Sequence, residues 1–235
     1  MMNAILASTS TLHGEDYLEY LIPVLQELYK DAAEVIFIPF ARPGGITYDE
    51  YTAKAAKAFE KAGKNLKGIH EFSSPEEALK NTGGIFTGGG NTFLLVSELY
   101  RNNLMLPLRE SILHGAAYLG TSAGTNIGGL TMQTTNDMPI VYPPSFKTLG
   151  IIPFNINPHY LDPDVNSTHK GETRETRIKE FHRLNSPPVV GLREGSWLEV
   201  THTKISLNGS LPARIFEKEK VPYELDSGSD LSHLN

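Results

Sequence analysis

Cysteine is absent from this sequence of 235 residues. Its absence excludes disulfide bonds, a thiol nucleophile and any zinc or iron–sulfur site with cysteine ligands. If the chain has a covalent nucleophile, that nucleophile is therefore an oxygen atom. Basic residues are in the minority, because 21 Lys and Arg stand against 27 Asp and Glu. This balance, with no basic stripe, argues against nucleic acid as a partner.

Long apolar runs are missing as well. No run approaches the ~18 apolar residues that a spanning helix needs, so we expect no contact with a membrane. The first residues lack the basic stretch of a signal peptide, and we expect the protein to work in the cytoplasm. The chain shows neither an internal repeat nor a long linker. We therefore expect one domain over residues 1–223 and a polar, frayed tail over residues 224–235.

Short apolar runs alternate with segments of helical spacing through the first half of the chain. Residues 3–8 and 35–40 have the length and composition of buried strands, whereas Tyr17 to Leu28 and Tyr48 to Ala62 have helical spacing. Ser74-Pro75-Glu76-Glu77 adds an N-cap, a first-turn proline and a capping-box glutamate. The pattern predicts an α/β fold with a doubly wound, mostly parallel sheet and helices on both faces, of the flavodoxin-like kind.

Three further short strands follow near the end of the chain. They cover Trp197 to Val200, Lys204 to Leu207 and Ala213 to Phe216, and Asn208-Gly209 has the composition of a tight hairpin turn. These segments predict a small antiparallel appendage at the C-terminal end.

Two glycine-rich turns carry the chemistry that the sequence suggests. Gly120-Thr121-Ser122-Ala123-Gly124 reads G-x-S-x-G, in which a strained turn from strand to helix exposes the serine hydroxyl. A tight connection whose serine only caps the next helix is the alternative. The triple glycine 88–90 also follows a strand, where converging N–H groups suit an anion or a developing oxyanion. Its alternative is a flexible turn.

A nucleophilic serine needs a histidine as base and an acid behind that histidine. His159 is the best candidate for the base because it directly follows a predicted strand, and His169 is the second. Two acids compete for the third place. Glu194 lies directly beyond a short strand, and Asp137 lies in the loop after the serine. Their alternatives are a surface Arg–Glu turn for Glu194 and an Asx turn for Asp137, and neither acid is excluded.

The joint order of six motifs resembles the peptidase E family, the α-aspartyl dipeptidases. The motifs are Gly88-Gly89-Gly90-Asn91, Gly120-Thr121-Ser122-Ala123-Gly124, Thr134-Thr135-Asn136-Asp137-Met138-Pro139, Asn157-Pro158-His159, His169-Lys170-Gly171-Glu172-Thr173-Arg174 and Gly191-Leu192-Arg193-Glu194-Gly195. The resemblance implies a serine peptidase with a fold similar to class I glutamine amidotransferases, acting on dipeptides with N-terminal aspartate and without a metal or organic cofactor. It implies Ser122 as nucleophile, His159 as general base, and Glu194 or Asp137 as the third member.

The same resemblance implies roles for the remaining motif residues. Backbone N–H groups of Ala123 and of Gly89 or Gly90 would form the oxyanion hole. Arg174 would bind the aspartate side chain of the substrate, and Asn91 would also contact substrate. The alternative for Arg174 is a solvated arginine on a helix face. The loop from Tyr160 to Thr168 departs from the family pattern because it is longer and richer in acids.

The expected partners are therefore small acidic peptides, for a monomer or homodimer. Two alternatives stay open, namely a serine hydrolase of β-aspartyl bonds similar to cyanophycinase, and a binding protein without catalysis on the same scaffold.

Overall fold

The structure, a computed structural model, describes residues 2–163 and 171–235, so the prediction for His169 lies outside the described residues, as does Asp164. Eleven strands are assigned within these ranges. They are β1 (Asn3–Ala7), β2 (Glu34–Ile38), β3 (Asn65–Gly68), β4 (Gly84–Thr87), β5 (Ala117–Thr121), β6 (Asn155–Pro158), β7 (Val189–Leu192), β8 (Ser196–Thr201), β9 (Ile205–Gly209), β10 (Ala213–Phe216) and β11 (Tyr223–Leu225).

Seven α-helices connect these strands. They are α1 (Ile22–Leu28), α2 (Tyr48–Lys61), α3 (Pro75–Lys80), α4 (Thr92–Arg101), α5 (Met105–Leu113), α6 (Ala123–Asn126) and α7 (Arg174–Leu184). Within the same described residues, no helix is long and apolar enough to cross a membrane.

The main sheet has seven strands in the order β3-β2-β4-β5-β1-β8-β9. Its first five strands are parallel, with the crossover connections of a doubly wound fold. The predicted α/β architecture is therefore confirmed. The carboxyl ends of the parallel strands meet at one edge of the sheet. The turns after the neighbouring strands β4 and β5 therefore lie side by side at this edge.

The C-terminal strands divide differently from the expectation. β8 pairs antiparallel with β1 and β9 pairs with β8, so both extend the main sheet instead of forming an appendage. The small second sheet has the order β11-β10-β7-β6, and its edge strand β6 pairs parallel with β7. Asn208-Gly209 ends β9 and does not form a hairpin to β10, which belongs to the other sheet.

Two apolar layers cover the main sheet. On one face, α1 and α2 pack through side chains such as Leu25, Tyr51 and Phe59. The other face packs against α4, α5 and the second sheet, so that Leu95, Ile156 and Ile215 share one core. The nucleophile turn therefore lies between two different layers.

Residues 224–235 are not a frayed tail. Leu231 and Leu234 are fully buried in the core, and the N–H of Leu231 donates to the carbonyl of Ile205 at 2.8 Å. The burial of these two leucines holds a mostly polar segment against the edge of β9.

The helix starts follow local sequence signals unevenly. Thr47 caps α2 with the full capping box to Glu50. α3 begins at Pro75 as predicted, but the Ser74 side chain makes no capping hydrogen bond. α1 begins only at Ile22, after a 3₁₀ turn and a left-handed Leu18 with φ of 60°, so the predicted helix from Tyr17 is shorter than expected.

Candidate active site

Ser122 occupies a strained turn between β5 and α6. Its φ of 55° and ψ of −109° are rare for a residue with a side chain, and its hydroxyl makes no capping bond. The flanking glycines permit this turn, because a Cβ on Gly120 would overlap the carbonyl of Gly124, and one on Gly124 would overlap the carbonyl of Thr87. The hydroxyl is therefore free to face the sheet edge.

His159 and Glu194 complete a hydrogen-bonded series with Ser122. His159 Nε2 lies 2.8 Å from Ser122 Oγ, and its Nδ1 lies 2.6 Å from Glu194 Oε1. Because an ionised carboxylate only accepts hydrogen bonds, Nδ1–H donates to Glu194 and Nε2 is left to accept from the serine hydroxyl. This is the tautomer that a base for Ser122 requires.

The two strand ends of the second sheet carry the base and the acid. His159 directly follows β6, and Glu194 follows β7 by one residue, so the parallel pairing of β6 with β7 brings them together. His159 has a φ of 52°, a second strained non-glycine residue in the same site.

Asp137, the other acid named from the sequence, lies elsewhere. Its carboxylate accepts the N–H of Thr92 at 2.7 Å and the hydroxyl of Thr135 at 3.0 Å. It therefore stabilises the N-terminus of α4, where a negative charge is favourable. Of the two candidate acids, the structure brings Glu194 and not Asp137 to the imidazole.

The glycine turn after β4 lies directly against the serine. A Cβ on Gly89 would be 2.9 Å from the Cβ and 3.4 Å from the Oγ of Ser122, so only glycine permits this approach. In the described part of the chain, the N–H groups of Gly89, Gly90 and Ala123 donate to no protein acceptor. Unpaired N–H groups beside a nucleophile are what an oxyanion hole needs.

The side-chain amide of Asn91 is bonded within the protein at both its oxygen and its nitrogen. Its Oδ1 accepts the N–H of Leu94 at 3.0 Å and caps α4, while its Nδ2 donates to the carbonyl of Met138 at 2.9 Å. Both ends of the amide are thus used within the protein. These bonds give Asn91 a structural role as N-cap of α4, and its contact with substrate stays a prediction.

Arg174 is the first residue of α7, directly after the N-cap Thr173. Partial burial lowers the pKa of Arg174, and the nearby negative charge of Asp137 opposes this effect. A cation at a helix N-terminus is also disfavoured by the helix dipole. Arg174 thus keeps its charge in an unfavourable position, and an incoming carboxylate would relieve that cost.

Arg193, next to Glu194, belongs to an ionic network that excludes Glu194. Its guanidinium binds both oxygens of Asp162 and both oxygens of Glu224, and the side chain is only 12% exposed. Arg214 extends the network from Glu224 to Glu175 on α7. The surface Arg–Glu pair considered for Glu194 is therefore not formed. The bonds between Arg193 and Asp162 instead join the segment that carries Glu194 to the segment that carries His159.

Ser8, directly after β1, is a site residue that sequence reasoning missed. Its fully buried hydroxyl accepts the N–H of His159 at 2.8 Å and donates to the carbonyl of Leu192 at 2.7 Å. The adjacent carbonyl of Ala7 accepts the N–H of Ser122 at 3.1 Å. The end of β1 therefore contacts the segments that carry all three residues. A polar residue closing a buried strand at the site edge was the available signal.

Ser8→Ala should slow the reaction of Ser122 with a small phosphonyl reagent by about tenfold, because His159 loses the bond that fixes its backbone. It should also cost about 1–3 kcal/mol of stability, since buried polar groups are left unpaired. Ser111→Ala is the matched control, because its buried hydroxyl bonds Leu79 away from the site. Equal labelling rates for both variants would contradict a positioning role.

Potential metal ligands are not clustered in the described residues. No group of three or more His, Asp or Glu side chains is arranged there to hold a metal ion.

Known proteins resemble this chain over nearly its whole length. Residues 4–208 match the model of peptidase family S51. The chain is 48% identical to a protein named peptidase E from Streptomyces coelicolor, covering 99% of this chain and 95% of the relative. It is 45% identical to a Drosophila melanogaster protein named "probable alpha-aspartyl dipeptidase", covering 99% and 97% of the two chains.

A solved structure shares the fold at much lower identity. The crystal structure of a peptidase from an acI-B1 actinobacterium superposes with a TM-score of 0.70 at 17% identity. The match covers 99% of this chain and 97% of that one.

Proposed function

This chain belongs to peptidase family S51, and we propose that it is a serine exopeptidase that hydrolyses dipeptides with an N-terminal aspartate. The observation that carries the proposal is the bonded series of Ser122, His159 and Glu194 beside unpaired glycine N–H groups. The substrate class is supported by the name of the relative from Drosophila melanogaster.

The first step forms an ester on Ser122. Its Oγ attacks the scissile carbonyl carbon while its proton passes to Nε2 of His159, and the carbonyl electrons move onto oxygen. The N–H of Ala123 and those of Gly89 or Gly90 stabilise that oxyanion. The C–N bond then breaks, the imidazolium gives its proton to the leaving amine, and an aspartyl ester stays on the serine.

The second step returns the enzyme to its starting state. Water attacks the ester carbon and gives a proton to Nε2 of His159, and collapse of the new oxyanion breaks the bond to Oγ. The imidazolium then protonates Oγ and free aspartate leaves. Glu194 stabilises the imidazolium in both steps without taking its proton.

The preference for aspartate is assigned to Arg174. Its guanidinium can hold a carboxylate with two parallel hydrogen bonds. No ion pair in the described part of the chain includes Arg174, although Asp137 lies close enough to affect its pKa. The proposed substrates are thus small acidic peptides, and we place the reaction in the cytoplasm.

The proposal is tested by the kinetics of α-Asp-Leu and β-Asp-Leu hydrolysis, with Ser122→Ala as the inactive background. We expect turnover of the α-linked peptide. Arg174→Ala should lower its kcat/KM by about 10- to 100-fold, while phosphonyl labelling of Ser122 stays close to the wild-type rate. Arg177→Ala is the matched control, because this exposed arginine lies on the same helix and pairs with Glu172.

Three results would count against the proposal. Turnover of the β-linked peptide alone would assign the chain to β-aspartyl hydrolysis. Absence of both turnover and labelling would favour a binding protein without catalysis. An equal loss of turnover and labelling in Arg174→Ala would remove its specificity role.

A further inference from the structure

A cluster of two cations and two tyrosines lies next to the oxyanion turn and has no place in the mechanism above. The guanidinium of Arg42 lies over the ring of Tyr51, 5.0 Å from its centroid, and Lys54 Nζ lies 5.0 Å from the ring centroid of Tyr17. The two tyrosine hydroxyls are 3.3 Å apart. We call these four residues the Arg42 cluster.

The cluster contacts the oxyanion turn at two points. The hydroxyl of Tyr51 donates to the carbonyl of Gly89 at 3.1 Å. Ala41, the residue before Arg42, accepts the N–H of Asn91 at 2.7 Å, and a Cβ on Gly90 would overlap its carbonyl. Arg42 therefore directly follows a residue that contacts the backbone of the oxyanion turn.

The neighbours of Arg42 and of Arg174 belong to different faces of the main sheet. Tyr51 packs in the layer formed by α1 and α2 on one face of the main sheet. α7 begins near Asp137 and α4, whose apolar side chains belong to the layer on the other face. A peptide lying across the end of β5 would therefore have one arginine at each end.

The charge of Arg42 is available to a ligand. No carboxylate of the described residues lies within 4.0 Å of Arg42 or Lys54. The aromatic faces orient both cations without neutralising them. Both side chains are exposed to solvent in a protein whose net charge is −6. A ligand for this cluster is therefore an anion.

We propose that Arg42 binds the C-terminal carboxylate of the dipeptide substrate, an inference that rests on the proposed function. In a dipeptide this carboxylate is three bonds from the scissile carbonyl carbon, or about 4 Å away. One further residue would move it by about 3.5 Å, beyond a site built on the first position. The Arg42 cluster thus selects free dipeptides over longer chains.

The test compares Asp-Leu with Asp-Leu amide, which differ only in the terminal carboxylate. Wild type should favour Asp-Leu by about 10- to 100-fold in kcat/KM, the effect of one charge-assisted contact. Arg42→Gln should raise KM for Asp-Leu until kcat/KM is equal for the acid and the amide. The kcat for Asp-Leu and the kinetics of the amide should stay unchanged. Arg42→Lys should restore part of the preference. Arg183→Gln, at an exposed arginine on the far end of α7, is the matched control.

Each outcome decides between the inference and the proposed function. Equal kcat/KM for the acid and the amide in wild type would overturn the inference alone, as would an equal loss for both substrates in Arg42→Gln. Hydrolysis of neither compound by an enzyme whose Ser122 still reacts with a phosphonyl reagent would reject the proposed function, and this inference with it.

Discussion

Glu194→Gln should lower kcat for Asp-Leu by about 10³-fold with little change in KM. The amide cannot stabilise the imidazolium, and its NH₂ group can face Nδ1 and favour the tautomer that no longer accepts from Ser122. A buried acid in this position is worth about 10⁴-fold. We expect a smaller loss because the Glu194 side chain is 49% exposed, so water screens part of its charge.

Asp137→Asn provides the comparison, because Asp137 is the acid that the motif pattern also allowed. Its carboxylate bonds Thr92 and Thr135, so the substitution should cost about 0.5–1 kcal/mol of stability through the helix dipole. We expect kcat to stay within about tenfold of wild type. A loss in Asp137→Asn as large as in Glu194→Gln would contradict the assignment of the third residue. Steady-state kinetics with thermal unfolding of both variants separates the outcomes.

The sequence predicts the centre of this site because the relevant signals are local. A serine with positive φ needs small flanking residues, and Gly120 and Gly124 are required by overlaps with backbone only a few residues or one strand away. The parallel direction of strands β1, β2, β4 and β5 likewise follows from short apolar runs separated by helices. These features depend on periods and spacings that a sequence displays directly.

The features of the fold that the sequence does not predict depend on contacts between distant segments. β8 could pair with β1 or stay in the C-terminal sheet, and only the burial of its apolar face against the main core decides between them. The segment from residue 224 is mostly polar, yet two buried leucines anchor it to the core. Burial of this kind follows from the tertiary structure and leaves no periodic pattern in twelve mostly polar residues.

The same distinction separates the site residues. His159 and Glu194 follow strands and were found by that position, whereas Ser8 supports them through bonds across more than 150 positions of sequence. Asn91 lies in a motif beside the catalytic glycines, but the direction of its amide makes it a cap. A motif therefore indicates which segment reaches the site, and the hydrogen bonds decide which of its side chains face a substrate.

Gly124→Ala should lower the free energy of unfolding by about 3 kcal/mol or more, a loss typical of severe overpacking. Gly124 has an ordinary helical backbone, so strain in φ is not the cause. A Cβ there would overlap the carbonyl oxygen and the carbonyl carbon of Thr87. Neither atom can move, because β4 pairs with β2 and β5 on both sides. The only relief is a shift of α6, which carries Ser122 away from His159.

Thermal unfolding measures this directly, since 3 kcal/mol corresponds to about 6–12 °C for a domain of this length. Phosphonyl labelling of Ser122 should fall in parallel, because the nucleophile is displaced by the same shift. Gly44→Ala is the matched control, as a Cβ there meets nothing within 4 Å and its φ lies outside the left-handed region. A melting temperature for Gly124→Ala equal to that of the control would show that the turn tolerates a side chain, and the steric account of the nucleophile turn would then fail.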